Sequence, residues 1–253
     1  MSLTTSTVLV TGASRGLGRA VALALGARGA TVAVHHRASA AAADAVVAGV
    51  VERGGRAVAV TGDLADPAGP AAIVGSAREA LVAAGVEPVL HGLVLCAGEM
   101  VPGGLEELSA DAMDRAFAVN VRAQVLLVAA ALPLVPRGGR IVTVSAAIGR
   151  RATPDVLIQS AAKVALQDVS RGLAAALGPR GIGVVDVAPG VTRTDLTTGM
   201  LATPGVEEQV AAATALGRIG EPEDLADAIV ALLSPSMRWV TGQTVEVSGG
   251  LWL

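Results

Sequence analysis

The chain has 253 residues, long enough to bury a substantial core in one large α/β domain or two small ones, and no stretch reads as a linker. Its net charge is −3, with no basic clusters, which argues against nucleic acid or an anionic membrane as partner and for a small molecule. A single cysteine, Cys96, excludes an internal disulfide. The opening MSLTTSTVLV lacks a basic segment followed by a long apolar one, and no uncharged apolar run reaches the ~18 residues of a membrane span. The longest, at 125–135, carries Pro133, so the expectation is a soluble cytoplasmic protein without a membrane partner.

Seven short β-branched runs follow one another: 7–11, 31–36, 56–62, 91–98, 139–146, 181–190 and 243–250. Ala/Leu-rich segments long enough for crossover helices separate them. The pattern predicts repeated βαβ units: a Rossmann-type, doubly wound α/β fold with a seven-stranded parallel sheet covered on both faces, residues 1–253 forming one dinucleotide-binding domain. The Ala-rich stretch 38–55 has helical spacing and ends at Gly54 and Gly55, so it is read as one of these helices. In such sheets ligands sit beyond the carboxyl ends of the strands, which is where candidate site residues belong.

After the first strand comes TGASRGLG, with Gly12, Gly16 and Gly18 opening a helix. Glycines there let the backbone turn tightly against a pyrophosphate, whose charge the helix N-terminus favours. The second strand ends in His35, His36 and Arg37 rather than a carboxylate, with Arg15 in the glycine loop. A carboxylate would accept the free ribose hydroxyls of NAD; cations favour a 2′-phosphate, so NADPH (NADP) is the expected cofactor.

Of 19 basic residues only one, Lys163, is a lysine. Filled blindly, that position would receive the lone lysine about once in 19, so it is read as a site that needs an ammonium rather than a guanidinium. Gln159 stands four residues before it, and the chain contains no tyrosine.

Thr-Gly-x-x-x-Gly-x-Gly at 11–18 resembles the short-chain dehydrogenase/reductase family, and the likeness runs nearly the whole chain. It implies that Gly12, Ser14, Arg15, Gly16, Leu17, Gly18, His36 and Arg37 bind cofactor, and that Asp63 and Leu64 contact adenine. Cys96, Ala97 and Gly98 look like that family's Asn-Ala-Gly turn beside the ribose. The segment Pro189, Gly190, Val191, Thr192 and Thr194 resembles the stretch that carries nicotinamide contacts. The ending VTGQTVEVSGG is similar to the family's last strand and oligomer interface, implying a homotetramer or homodimer.

By the same resemblance Asn120 and Lys163 are retained catalytic residues, Lys163 holding the nicotinamide ribose. Gln159 stands in the family's tyrosine position. Counting from the Gly-Arg-Ile lead-in at 139–141, or back from position 159 through Gly149, puts the family's serine at Ala146, which is inert. Ser145 lies one residue earlier and, on an extended segment, faces the other way unless a bulge turns it back. No metal site is expected. Residues 195–217, with Met200 and Leu201, occupy the position of a substrate lid.

Three functions stay open at this point. The first is NADPH-dependent hydride transfer to an electron-poor aromatic carbonyl, such as a polycyclic quinone in polyketide natural-product (antibiotic) biosynthesis, with a small oxygenase as functional partner. The second is a ketoreductase that takes its proton elsewhere, with Asp155 and Ser160 as nearby sources. The third is a non-redox protein on the same fold, against which the lone lysine argues.

Overall fold

The computed structural model describes residues 3–101, 103–151 and 153–253. Seven strands form one parallel sheet in the order β3-β2-β1-β4-β5-β6-β7: β1 Thr7–Val10, β2 Thr31–His36, β3 Arg56–Thr61, β4 Gly92–Leu95, β5 Arg140–Val144, β6 Gly183–Pro189 and β7 Thr244–Val247. Each matches one of the seven β-branched runs, and the strand order reverses between β1 and β4.

Alternation along the strands builds two cores. Val8, Val10, Val142 and Val144 face α1 (Gly16–Gly26), α2 (Ala40–Glu52) and α9 (Pro222–Leu233). Leu9, Leu93 and Ile141 face the other way, toward α3 (Gly69–Ala83), α5 (Ala123–Ala131) and α6 (Leu157–Leu177). The Ala-rich stretch is α2. Its Ala43, Val46 and Val50 are buried, and the chain leaves it through Gly54 at φ +91°.

α4 (Ala110–Phe117) runs into α5 through a π-helical turn, Ala118–Arg122. With the short turn that follows, the helical run Ala110–Leu134 spans 25 residues and contains an apolar window of mean hydropathy 1.7, long and apolar enough to cross a bilayer by length and composition. Charged residues, Asp111, Asp114, Arg115 and Arg122, interrupt this run, so it contains no uncharged apolar stretch of that length. Ala123, Leu127, Val128 and Ala131 are buried against the sheet, which accounts for the apolar face. Residues 195–217 carry two short helices, α7 (Thr198–Leu201) and α8 (Val206–Ala212).

Candidate active site

The loop from β1 into α1 is shaped by sterics. Gly12 and Gly16 take φ values of +63° and +52°, and a Cβ on Gly12 would meet the Cα of Ala97 at 3.0 Å. A Cβ on Gly18 would collide with the Gly12 carbonyl. α1 starts from Arg15, which is extended and caps nothing with its side chain, so among the described residues the N-cap leaves the first-turn amides open. Ser14 and Leu17 are half-buried beside the glycines. Thr194 closes the far wall, 3.6 Å from where a Gly16 Cβ would stand.

His35 and His36 behave differently. His35 is buried; its Nδ1 accepts from the Gly12 amide at 3.1 Å and its Nε2 donates to the Gly62 carbonyl at 3.1 Å. Burial holds its pKa down to about 4, so a neutral ring ties the glycine loop to the end of β3. This clamp was not legible in the sequence, where His35 counted only as part of a cationic strand end. The His36 ring is also buried, but its Nδ1 has no partner among the described residues. Arg37 beyond it is exposed. An open amide terminus, a cradle that admits no Cβ and an orphaned imidazole nitrogen beside an arginine suit a phosphorylated dinucleotide.

Past β3, Asp63 is exposed, its carboxylate accepting from the Ala65 amide at 2.9 Å, and Leu64 is buried. After β4, the Ala97 amide donates to Thr11 Oγ1 at 3.0 Å. Burial pushes the Cys96 thiol up to about 12, against the opposing effect of Lys163, so the thiol stays protonated. Past β6, Gly190 passes so close to Ser248 that a Cβ would stand 2.8 Å from its Cα. The segment beyond is stitched down by Thr197 Oγ1 donating to the Thr192 carbonyl at 2.6 Å and by Gly220 N donating to the Val191 carbonyl at 3.0 Å.

Asn120, Gly98 and Lys163 converge. Asn120 lies in the π turn, fully buried; its Nδ2 donates to the carbonyls of Glu99 and Ala116, and its Oδ1 accepts from the Glu99 amide at 3.2 Å. A Cβ on Gly98 would stand 2.9 Å from Asn120 Oδ1 and 3.2 Å from Lys163 Nζ. Lys163 Nζ donates to the Val144 carbonyl at 3.0 Å. Burial lowers its pKa to about 8, while Asp186 and Cys96 pull the other way.

Gln159 is buried one helical turn before Lys163, its Oε1 accepting from the Val101 amide at 3.4 Å. Ala146 is half-buried at the end of β5. Ser145 is buried and turned into the protein: its hydroxyl donates to Asp186 Oδ2 at 2.6 Å and accepts from Gln167 Nε2 at 3.1 Å. No bulge brings it round. Asp155, the alternative proton source, is exposed and does not cap α6, whose N-cap is Val156; Ser160 is half-buried in the first turn.

Three further features had not been expected. Asp186 and Gln167 form a polar layer behind the site, visible in retrospect as a carboxylate inside the apolar run GVVDVAP and as a stripe of Gln159, Lys163, Gln167 and Ser170 at helical spacing. Trp252 takes φ +60° and lies against the Arg151 guanidinium, 5.6 Å from ring centroid to carbon. Arg193, between the Gly190 segment and the lid, pairs with Glu207 of α8 at 2.7 Å and with Glu221 at 3.3 Å. Among the described residues no group of three or more His, Cys, Asp or Glu is placed to hold a metal.

A family model described as enoyl-(acyl carrier protein) reductase matches residues 12–252. The chain is similar to an uncharacterized oxidoreductase of Methylorubrum extorquens, 37% identical over 246 residues that cover 96% of each protein. It is also similar to the crystal structure of the angucycline C-6 ketoreductase LanV with bound NADP, at 38% identity and TM-score 0.94, covering 99% of this chain and 97% of that one. LugOII, a promiscuous reductase that catalyses keto-reduction at C1 during lugdunomycin biosynthesis, superposes with TM-score 0.94 at 37% identity, covering 100% of this chain and 99% of that one. The match over nearly the whole length, on a seven-stranded parallel sheet with a glycine cradle after β1, places this chain in the short-chain dehydrogenase/reductase family of oxidoreductases.

Proposed function

We propose that the protein is an NADPH-dependent reductase of an electron-poor aromatic carbonyl, a polycyclic quinone of the polyketide type, with the family's proton-delivering side chains replaced. The observation that carries this reading is Gln159 with Ala146, where a tyrosine and a serine are expected, beside an intact Lys163, Asn120 and Gly98. LanV, structurally similar and solved with NADP, acts on an angucycline, which supports both the cofactor and the substrate class.

When bound, the dihydronicotinamide would supply a hydride: to a ketone at the carbonyl carbon, leaving an alkoxide, or to one oxygen of a quinone, the ring electrons then shifting to leave a phenolate on the other oxygen. The chain's own residues hold and orient the reactants. Gly12, Gly16 and Gly18 admit the pyrophosphate, while His36, Arg37 and Arg15 meet the 2′-phosphate. Asp63, Leu64, Cys96 and Ala97 flank the adenosine. Pro189, Gly190, Val191, Thr192 and Thr194 would position the nicotinamide, and Lys163 would hold its ribose. Gln159 keeps its Oε1 on the Val101 amide, which leaves Nε2 as a hydrogen-bond donor toward the developing oxyanion. The lid at 195–217 covers the substrate.

An amide does not deliver a proton at neutral pH, and magnitude then separates substrates. A ketone gives an alkoxide whose conjugate acid has a pKa of about 16, near that of water, whereas a quinone gives a phenolate-like anion of about 10, near tyrosine. Six units amount to roughly 8 kcal/mol, more than the ~10²–10⁴-fold that a positioned acid contributes. The loss is therefore tolerable for a quinone and severe for a ketone.

A second reading, reduction of a ketone with a proton drawn from water or substrate, is favoured by the ketoreductase activity of LanV and LugOII. Calorimetric titration with NADPH and NADH, followed by stopped-flow NADPH oxidation with naphthoquinones and anthraquinones, tests the proposal. Tighter binding of NADPH and acceleration by saturating protein are expected; binding without acceleration contradicts it.

A further inference from the structure

Asp186 is wholly buried in the middle of β6, where an apolar residue would serve the sheet better. Thr143 Oγ1 donates to its Oδ1 at 2.7 Å and Ser145 Oγ to its Oδ2 at 2.6 Å, both from the neighbouring strand. Behind these, α6 closes the layer: Ser170 Oγ lies 2.7 Å from Thr143 Oγ1, and Gln167 Nε2 donates to Ser145 Oγ and to the Ala146 carbonyl, each at 3.1 Å. The same helix face carries Lys163, whose Nζ is bound to the carbonyl of Val144, the residue between Thr143 and Ser145. A buried carboxylate with dedicated donors thus stands within electrostatic reach of the chain's one lysine.

We propose that Asp186 is a positioning residue for Lys163: locked by Thr143 and Ser145, its carboxylate keeps the buried amine in the ammonium form at the cofactor end of the sheet. Ser145, unavailable for catalysis, acquires its role here as a donor to that carboxylate. The inference rests on the reading of Lys163 as the residue that holds the nicotinamide ribose, and it extends that reading to the source of the lysine's charge.

Stability does not explain the pair. Burial raises Asp186 from 3.8 to about 6, against the hydroxyls of Ser145, Thr143 and Thr244 and the charge of Lys163. A raised folded pKa gives stability that is present below 3.8 and lost as pH rises through about 6. Burial lowers Lys163 from 10.5 to about 8, which gives stability present above 10.5 and lost as pH falls through about 8. Between those limits both groups are charged and neither contribution remains. The charged groups that face Lys163 are Asp186 from β6 and, when ionised, Cys96 from the loop after β4; Asp186 faces Lys163 from α6. Two buried, opposite charges held at net cost to the fold are the pattern of a functional group.

The single lysine makes the test direct. Protein grown on lysine labelled with carbon-13 at Cε gives one lysine side-chain resonance, and its titration in the cofactor-free protein reports Lys163 alone. Asp186→Asn keeps the shape and the hydrogen-bonding capacity, so the expected result is a folded protein whose Lys163 midpoint falls by about one pH unit, roughly tenfold in proton affinity. Ser145→Ala, which removes one donor and leaves the carboxylate in place, moves the midpoint the same way by less, and it carries the test if Asp186→Asn does not fold. An unmoved Lys163 midpoint in the folded variant overturns the proposal and leaves Asp186 a packing residue. Because the titration needs neither cofactor nor substrate, a protein inactive toward quinones but with the expected lysine shift counts against the proposed reaction alone.

Discussion

The loop after β1 and the loop after β5 both stand at the carboxyl edge of the sheet, yet they hold their functions by different means. After β1 the backbone is the device: positive φ at Gly12 and Gly16, a Cβ-free approach to Ala97, and a neutral His35 fastening the turn to two strands. After β5 the proposed chemistry depends on two side chains, positions 146 and, on α6, 159, of which one is a methyl and the other an amide. A function written into backbone geometry is expensive to change, because substitution strains the turn. A function written into two side-chain ends can be altered without disturbing the strand, the helix or the buried Lys163 between them.

The sharpest way to break this contrast is to restore the second loop. Gln159→Tyr combined with Ala146→Ser should raise reduction of a simple aromatic ketone such as a tetralone by roughly 10²–10⁴-fold, the usual worth of a positioned acid, while changing quinone reduction by less than about tenfold. Steady-state NADPH oxidation with both substrates checks it; equal gains on the two would remove the distinction between them.

A smaller effect concerns the clamp behind the first loop. The depressed folded pKa of His35 means that its contribution to stability is present above 6.5 and lost as pH falls through about 4, amounting to about 3 kcal/mol. Thermal unfolding followed between pH 7 and pH 4 should show that loss in the native protein. His35→Gln, less stable at pH 7 but without a titrating ring, should lack it. Asp186 works in the opposite direction as pH falls through about 6, so the difference between the two proteins, rather than either curve alone, isolates the histidine.

The third expectation is narrower still. Gly12→Ala should weaken NADPH binding by roughly ten- to a hundredfold, since φ +63° and the 3.0 Å approach to Ala97 both oppose a Cβ. Gln159→Ala should leave that affinity unchanged, as calorimetry on the two variants would show.

Much of the fold was legible because its signals are local and repeated. Each β-branched run between Ala-rich segments became a strand of the parallel sheet, and Gly54 ended α2 as its place after an apolar period implied. The direction of Ser145 followed from counting along an extended segment, and the hydroxyl does face into the protein. What sequence patterns did not convey were contacts between distant strands. His35 meets Gly12 and Gly62, and Asp186 meets Thr143 and Ser145, across separations set by tertiary packing, so His35 read as a cation and Asp186 went unnoticed. The helical run Ala110–Leu134 was missed for the converse reason: a continuous helix buries one face and tolerates charges on the other, which a search for an unbroken apolar stretch does not register.

The most direct test of the central claim, that cofactor handling is kept and proton delivery removed, is the single-turnover rate of NADPH oxidation by the native protein with a naphthoquinone and with a tetralone, measured at the same pH and saturation. A rate for the quinone at least about a hundredfold above that for the ketone is the predicted result, in line with the worth of the missing acid. Equal rates, or a faster ketone, would contradict it and would mean that a proton reaches the alkoxide by a route that needs neither position 146 nor position 159.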